Sequence, residues 1–314
     1  MTRLIAVRVL MSVVSLLLVS AFVFALIQVS PVDPVVLALG DGAPPEKVAA
    51  MRHALGLDQP VIVQFVTWLG GVLQGDFGAS TFTNRPVVDE IVEKFPVTLS
   101  LLIGATVIAT SAGLTLGFLA GLQPDSMVDR VVTSVVAIAL AIPSFWLALI
   151  LAAIFAVQLG WLPVAGYVSF RESPSLWAYS LVLPCIAVST HAIAVIARHA
   201  RGVVVDVMNS PFIEAIRARG TPRSLIIHRY VLKNVLVPLL PVIGVQLAII
   251  IAVSTVMEKV FVLPGLGSLM VNSVVSSDYP MLKGAIVVVA SIIILINLLV
   301  DIGLGLLDPR VRPQ

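Results

Sequence analysis

Between Val9 and Val32 the chain carries no charged side chain. Roughly 20 apolar residues suffice for a helix to cross the hydrocarbon core of a bilayer, so this run is long enough to span. Several later runs meet the same condition. Hydrophobic residues make up 59% of the 314 and charged residues only 11%, against about 25% charged in a soluble domain. These features predict an all-α polytopic membrane protein.

Six transmembrane helices fit best, at about 9–30, 98–122, 132–157, 177–197, 236–256 and 284–306. The stretch Val131–Phe170 is also uncharged and long enough for two spans. Gly160, Pro163 and Gly166 punctuate its second half, so it reads as one span followed by a loop. The first apolar run follows Arg3 and Arg8 and exceeds the 7–15 residue core of a cleaved signal. No small-x-small site closes it, so it reads as a retained first span starting in the cytoplasm.

Charge sets the orientation. With the N- and C-termini cytoplasmic, the inner segments are 1–8, 123–131, 198–235 and the tail after 307. They hold Arg3, Arg8, Arg130, Arg198, Arg201, Arg217, Arg219, Arg223, Arg229, Lys233, Arg310 and Arg312, twelve of the nineteen basic residues. That is the positive-inside pattern.

Three parts follow: a first transmembrane helix over 1–30, an extracytoplasmic helical segment over 31–97, and a core transmembrane domain over 98–314. In the second part, Pro44-Pro45-Glu46 signals a helix start. Gly56–Pro60 interrupts that helix, and Val61–Leu73 restarts an amphipathic pattern with Phe65, Trp68 and Leu69 on one side. Gly75-Asp76-Phe77-Gly78 ends it. The segment reads as a small helical cap on the outer face.

Several activities are disfavoured. No Gly-x-x-x-x-Gly-Lys-Ser/Thr loop occurs, and no Lys follows a Gly, so the chain is not expected to hydrolyse nucleotide. The ionisable residues inside spans are few: His191, Glu258 and Asp301. A proton-coupled carrier needs a linked set of carboxylates, and matched helix breaks in two halves would mark an inverted-repeat carrier; neither is visible. His191 reads as a satisfied bundle histidine rather than a proton or metal site. The lone Cys185 reads as packing. The four histidines lack metal-ligand spacing, and no nucleic-acid partner is expected.

Two polar or small-residue patterns stay open. Gly113, Gly117 and Gly121 recur every four residues in the second span, a spacing that lets another helix approach closely, in this chain or a partner. In the fifth span, Pro238 and Pro241 are expected to break or bend the inner end. Gln246 and Ser254 lie eight residues apart on one face, with Glu258 a turn further out. They line a translocation path or bond neighbouring helices.

The segment 198–235 is the most specific. Asn209-Ser210-Pro211 signals a helix start. Ile213, Ala215, Ile216 and Ala218 give a narrow apolar face, while Arg217 and Arg219 face water or an acidic groove. Gly220-Thr221-Pro222 stops the helix, with Gly220 expected at positive φ. A second helix through Leu225, Ile226, Tyr230 and Leu232 then enters the membrane. Capping, small residues and a defined stop favour a built docking helix over a merely solvated basic loop.

Glu214, Ala215 and Gly220 have the spacing of the EAA loop, the signature of ABC-importer permeases. Further motifs fall in the same order: Pro31-Val32-Asp33-Pro34, Gly56-Leu57-Asp58-Gln59-Pro60, Gly75-Asp76-Phe77-Gly78, Arg85-Pro86-Val87, Ile142-Pro143-Ser144-Phe145-Trp146, Phe261–Gly267, Asp278-Tyr279-Pro280 and Asp308-Pro309-Arg310. Over nearly its whole length the chain resembles a permease subunit of the dipeptide/oligopeptide/nickel class of ABC importers. Val32 departs from the family's Gly, Ile216 replaces the second Ala of the loop, and Tyr230 stands where the general pattern has its conserved apolar-proline stretch. The proline comes later, at Pro238.

The resemblance implies a bacterial cytoplasmic (inner) membrane location and a transport role without enzymatic activity. It implies a second homologous permease, two ATPase subunits that bind ATP and Mg, and an extracytoplasmic binding protein. The chain itself would hold no cofactor. Glu214, Ala215, Ile216, Arg217, Arg219 and Gly220 would couple to the ATPase, and Gln246, Ser254 and Glu258 would line the path. The expected cargo is short peptides; the alternative is nickel or a metal chelate carried by the same machinery. An ion-coupled secondary carrier and a structural membrane protein are the remaining readings.

Overall fold

Uncharged apolar runs become long helices because only a helix satisfies its own backbone in lipid without a partner strand. The computed structural model describes residues 2–29, 34–40, 42–54 and 56–307. The chain begins with α1 (Thr2–Gln28), α2 (Pro34–Leu39), α3 (Pro45–Ala54), α4 (Val61–Leu73) and α5 (Val87–Gly121). Next come α6 (Met127–Ala141) and α7 (Ser144–Leu151), the latter prolonged by a π-helical stretch, Ala152–Gln158. Then follow α8 (Pro174–Met208), α9 (Pro211–Ala218), α10 (Arg223–Leu225), a second π stretch (Ile226–Val231) and α11 (Leu232–Val260). The last elements are α12 (Leu266–Val275) and α13 (Tyr279–Leu307). Among the described residues no strand forms; Ala79 and Pro86 make one isolated β-bridge. Pro31-Val32-Asp33, Asp308-Pro309-Arg310 and Arg312 lie outside the described residues.

Among the described residues, five helices are long and apolar enough to cross a membrane: Ile5–Gln28, Val87–Gly121, Pro174–Met208, Arg223–Val260 and Tyr279–Leu306. They carry five of the six expected spans. The sixth, expected as one helix over 132–157, is instead a pair of helices bent by 100°. Pro143 is the cause. It disfavours helical backbone at the residue before it, and Ile142 accordingly adopts φ −86°, ψ 122°. Pro238 and Pro241, expected to break or bend the fifth span, lie inside an uninterrupted α11.

The chain divides into two compact units. The first comprises Met1–Val9, Leu99–Leu263 and Leu295–Gln314. Here α5 packs directly on α8. A Cβ at Gly113 would lie 2.8 Å from Cβ of Ile196, one at Gly117 2.5 Å from Cβ of Ala200, and one at Gly121 2.7 Å from Cβ of Val204. No real side chain tolerates such distances, so the four-residue glycine spacing is used for packing inside this chain. Cys185 is a free, buried thiol on the same α8. Asp301 pairs with Arg8 at 2.8 Å.

The second unit comprises Leu10–Thr98 and Pro264–Ile294. Val87, Ile91, Leu266, Leu269, Met281 and Ala285 form its core, with Phe77 and Phe95 against them. Asp278 is buried beneath α13, where it accepts hydrogen bonds from Ser80 Oγ at 2.5 Å and Thr81 N at 3.3 Å. Thr98 Oγ1 accepts from Leu266 N at 2.8 Å. The motifs around Phe77, Val87 and Asp278 thus meet in one core.

Candidate functional site

The segment from Asn209 to Val231 is built on local backbone chemistry. Ser210 caps α9: its Oγ accepts from Ile213 N at 3.4 Å and donates to Val207 O at 2.7 Å. Pro211 sits in the first turn, where no donor is needed. Gly220 ends the helix at φ +77°, with its N–H donating to Arg217 O at 3.0 Å. That left-handed conformation favours glycine.

Ile213 anchors α9. It is fully buried in a cluster with Ala200 and Val204 of α8 and with Ile226, Val231, Val235 and Leu239. Ile226 and Val231 are both buried although five residues apart. The π stretch between them explains this, since i→i+5 bonding brings residues of that spacing onto one face. Ile216 is half-buried against the same cluster, and the ring of Tyr230 meets Phe212 edge-on at 5.8 Å. Arg223 Nη2 donates to Leu122 O at 3.0 Å, tying the segment to the end of α5.

The expected apolar face therefore divides. Ile213 and Ile216 pack against this chain's own core, whereas Glu214, Ala215, Arg217, Ala218, Arg219 and Gly220 are exposed. The isoleucines hold the helix in place, and the exposed residues form a small charged surface.

Between α6 and α8 lies a feature that sequence reading missed. Asp129 is buried at the start of α6 and makes a two-pronged ion pair with Arg201 of α8, its Oδ2 accepting from Arg201 Nη2 at 2.7 Å. The same carboxylate accepts from Asp125 N at 2.9 Å and Thr133 Oγ1 at 3.3 Å. Arg201 counts toward the basic excess of its segment, yet its charge is neutralised locally. The available signal was Ser126-x-x-Asp129, a helix-start pattern: Ser126 Oγ accepts from Asp129 N at 3.2 Å.

The second expected set lies on α11. Gln246, Ser254 and Glu258 do share a face, but it is the buried one, with exposures of 5%, 2% and 0%. Ser254 Oγ donates to Ile251 O at 2.8 Å. Gln246 Oε1 has no hydrogen-bond partner. In this conformation the three are interior groups rather than the wall of an opening. His191 borders a separate groove of about 340 Å³ at the α6–α7 bend, together with Pro143, Phe145 and Ile250.

A helical membrane domain that presents a short capped helix from between two long spans has the form of a transporter's membrane component. The chain belongs to the family of binding-protein-dependent transport system inner membrane components, which it matches over residues 113–313. Residues 1–102 match that family's N-terminal region. A putative peptide transport system permease protein of Brucella abortus is 38% identical over 312 residues, 99% of each chain. The glutathione transport system permease protein GsiC of Salmonella choleraesuis is 35% identical over 298 residues, 95% of each. The fold is similar to that in a structure of the MetNI methionine ABC transporter in an inward-facing conformation. The TM-score is 0.56 at 18% identity, covering 69% of this chain and 96% of that one.

Proposed function

We propose that this chain is one of two homologous permease subunits of an ATP-driven importer and that its cargo is short peptides. The observation that carries the reading is the division of α9: Ile213 is locked into the chain's own core while Glu214, Ala215, Arg217 and Arg219 stand exposed on a capped, stopped helix. A loop that only obeyed a charge rule would not need that anchor. Relatives named for peptide and glutathione transport favour peptides over nickel or a metal chelate.

In this reading α9 docks on one of two ATPase subunits, which bind ATP and Mg. A secreted binding protein delivers cargo on the opposite side. The helix from Arg223 to Val260 is continuous, so a push on α9 reaches the buried face of α11. Gating then follows from a ligand's differential affinity for two conformations. Gln246, Ser254 and Glu258 would open toward the path in another state of the cycle. In this reading 198–235 lies in the cytoplasm and 31–97 outside, the orientation that the positive-inside pattern favours.

Gly220→Asp tests the coupling. A Cβ at Gly220 meets nothing within 4 Å, and left-handed backbone costs a non-glycine residue roughly 1–2 kcal/mol. The protein should therefore still insert, while uptake is abolished because bulk and charge are added to the docking face. Wild-type uptake would overturn the assignment. Orientation is tested with an impermeant thiol reagent on intact cells, using Lys47→Cys and Ser224→Cys in a Cys185→Ala background. Position 47 should label and position 224 should not; the reverse would invert the topology.

A further inference from the structure

α4 carries no charged residue from Val61 to Leu73. Its two sides differ in what they meet. Phe65 and Trp68 face α1, with ring centroids 5.5 and 5.9 Å from that of Phe24, and Gln28 Nε2 donates to Gln64 Oε1 at 3.2 Å. On the other side Ile62, Val66 and Leu73 are 77%, 60% and 81% exposed. These positions fall at helical spacing and form one apolar stripe. Exposed apolar surface of this kind is unfavourable in water in proportion to its area. α3, in the same segment, is built differently: it carries Glu46, Lys47, Arg52 and His53.

Two neighbours fix the level of α4 relative to the bilayer. Phe24 belongs to the last turns of α1, a membrane span that itself exposes Leu18, Phe22 and Leu26. Lys283 lies in the first turns of α13, before a long uncharged run. Its Nζ sits 5.0 Å from the Phe24 ring centroid and 5.5 Å from that of Trp68. A lysine at the start of a long apolar helix marks the headgroup level of a membrane protein, where a charged end and an apolar stem are both accommodated; Trp68 packs against Lys283 with its own Nε1 buried and without a hydrogen-bond partner. With 13 residues, α4 is about 20 Å long, too short to span.

We infer that α4 is an interfacial helix, with Ile62, Val66 and Leu73 inserted among lipid acyl chains and Lys283 at the headgroups. The occupant of the stripe is the bilayer. Between Val61 and Leu73 the segment 31–97 is thus membrane-embedded rather than part of an aqueous cap, and its clasp on α1 holds the N-terminal span by a second lipid contact. This deepens the membrane reading of α1 and α13 and does not depend on the cargo or on α9.

The test is collision accessibility of nitroxide side chains in the complete transporter reconstituted in phospholipid vesicles. Labels are placed at Ile62→Cys, Val66→Cys and Leu73→Cys, and at Lys47→Cys on α3, each in a Cys185→Ala background. All four replaced side chains are exposed, so the exchanges leave the packing intact. Oxygen, which partitions into lipid, should collide more often than a water-soluble nickel chelate at positions 62, 66 and 73, with the order reversed at 47. Dominant collisions with the chelate at the three α4 positions would place the stripe in water and overturn the inference. Low accessibility to both reagents would place another protein subunit over it, which also overturns it.

Discussion

α9 and the middle of α11 carry the two sets of polar residues that sequence marks as functional, and the structure treats them in opposite ways. On α9 one apolar residue, Ile213, is buried and the polar residues are exposed. On α11 the polar residues Gln246, Ser254 and Glu258 are buried among apolar ones. The first arrangement is an exposed charged surface held from behind by a buried anchor, the one proposed above to meet an ATPase. The second places polar groups where they cost stability unless partnered. A surface proposed for a partner protein and an interior proposed to open in another conformation place different demands on the chain, and a single helix from Arg223 to Val260 follows the one and contains the other.

The contrast can be broken at its anchor first. Ile213→Ala removes most of a fully buried side chain, which costs about 2–5 kcal/mol. Thermal unfolding should shift accordingly, and trypsin should cut at Arg217 and Arg219 faster than in the wild type. Unchanged protection would mean that α9 is not held by its own core.

A smaller effect is expected at the ion pair. Asp129→Ala leaves Arg201 without its carboxylate. Because the Arg201 side chain is 35% exposed, solvent takes up part of the loss, and roughly 1–3 kcal/mol is expected. Adding Arg201→Ala should restore part of the stability; two strictly additive losses in the unfolding measurement would show that the pair is not coupled.

The smallest change has the opposite sign. Gln246 Oε1 is buried without a partner, so Gln246→Leu should stabilise this conformation by about 1 kcal/mol. Transport per ATP hydrolysed in reconstituted vesicles should fall, because the group is lost from the state in which it opens. An unchanged ratio would reduce Gln246 to a packing residue.

Legibility in the sequence followed locality. Ser210, Pro211 and Gly220 could be read because caps and left-handed stops depend on a few adjacent residues. The glycine spacing on α5 was visible, but its partner α8 was not. Prolines acted differently at different sites. Pro143 produces the 100° bend in a span expected to be continuous, while Pro238 and Pro241 sit within an uninterrupted helix. The same ring gives different outcomes because neighbouring groups can re-satisfy a broken helix bond in one setting and not another. Asp129 and Arg201 are separated by 72 positions, and nothing local signals their pairing. The apolar face of α9 divides, with Ile213 and Ile216 on the chain's own core and Ala215 and Ala218 exposed, because the pattern does not say whether a face meets a partner or the chain itself.

If the exposed side of α9 transmits ATP hydrolysis to transport, Glu214 is the residue whose charge should matter. Its side chain is exposed, so Glu214→Arg should leave thermal unfolding within about 1 kcal/mol, the scale of a charge near a helix N-terminus. Uptake and ATP hydrolysis are measured together in the reconstituted complex. Uptake should fall at least tenfold, the equivalent of about 1.4 kcal/mol of lost contact, with the permease fully inserted and stable. Uptake at the wild-type rate with wild-type coupling to hydrolysis would contradict it.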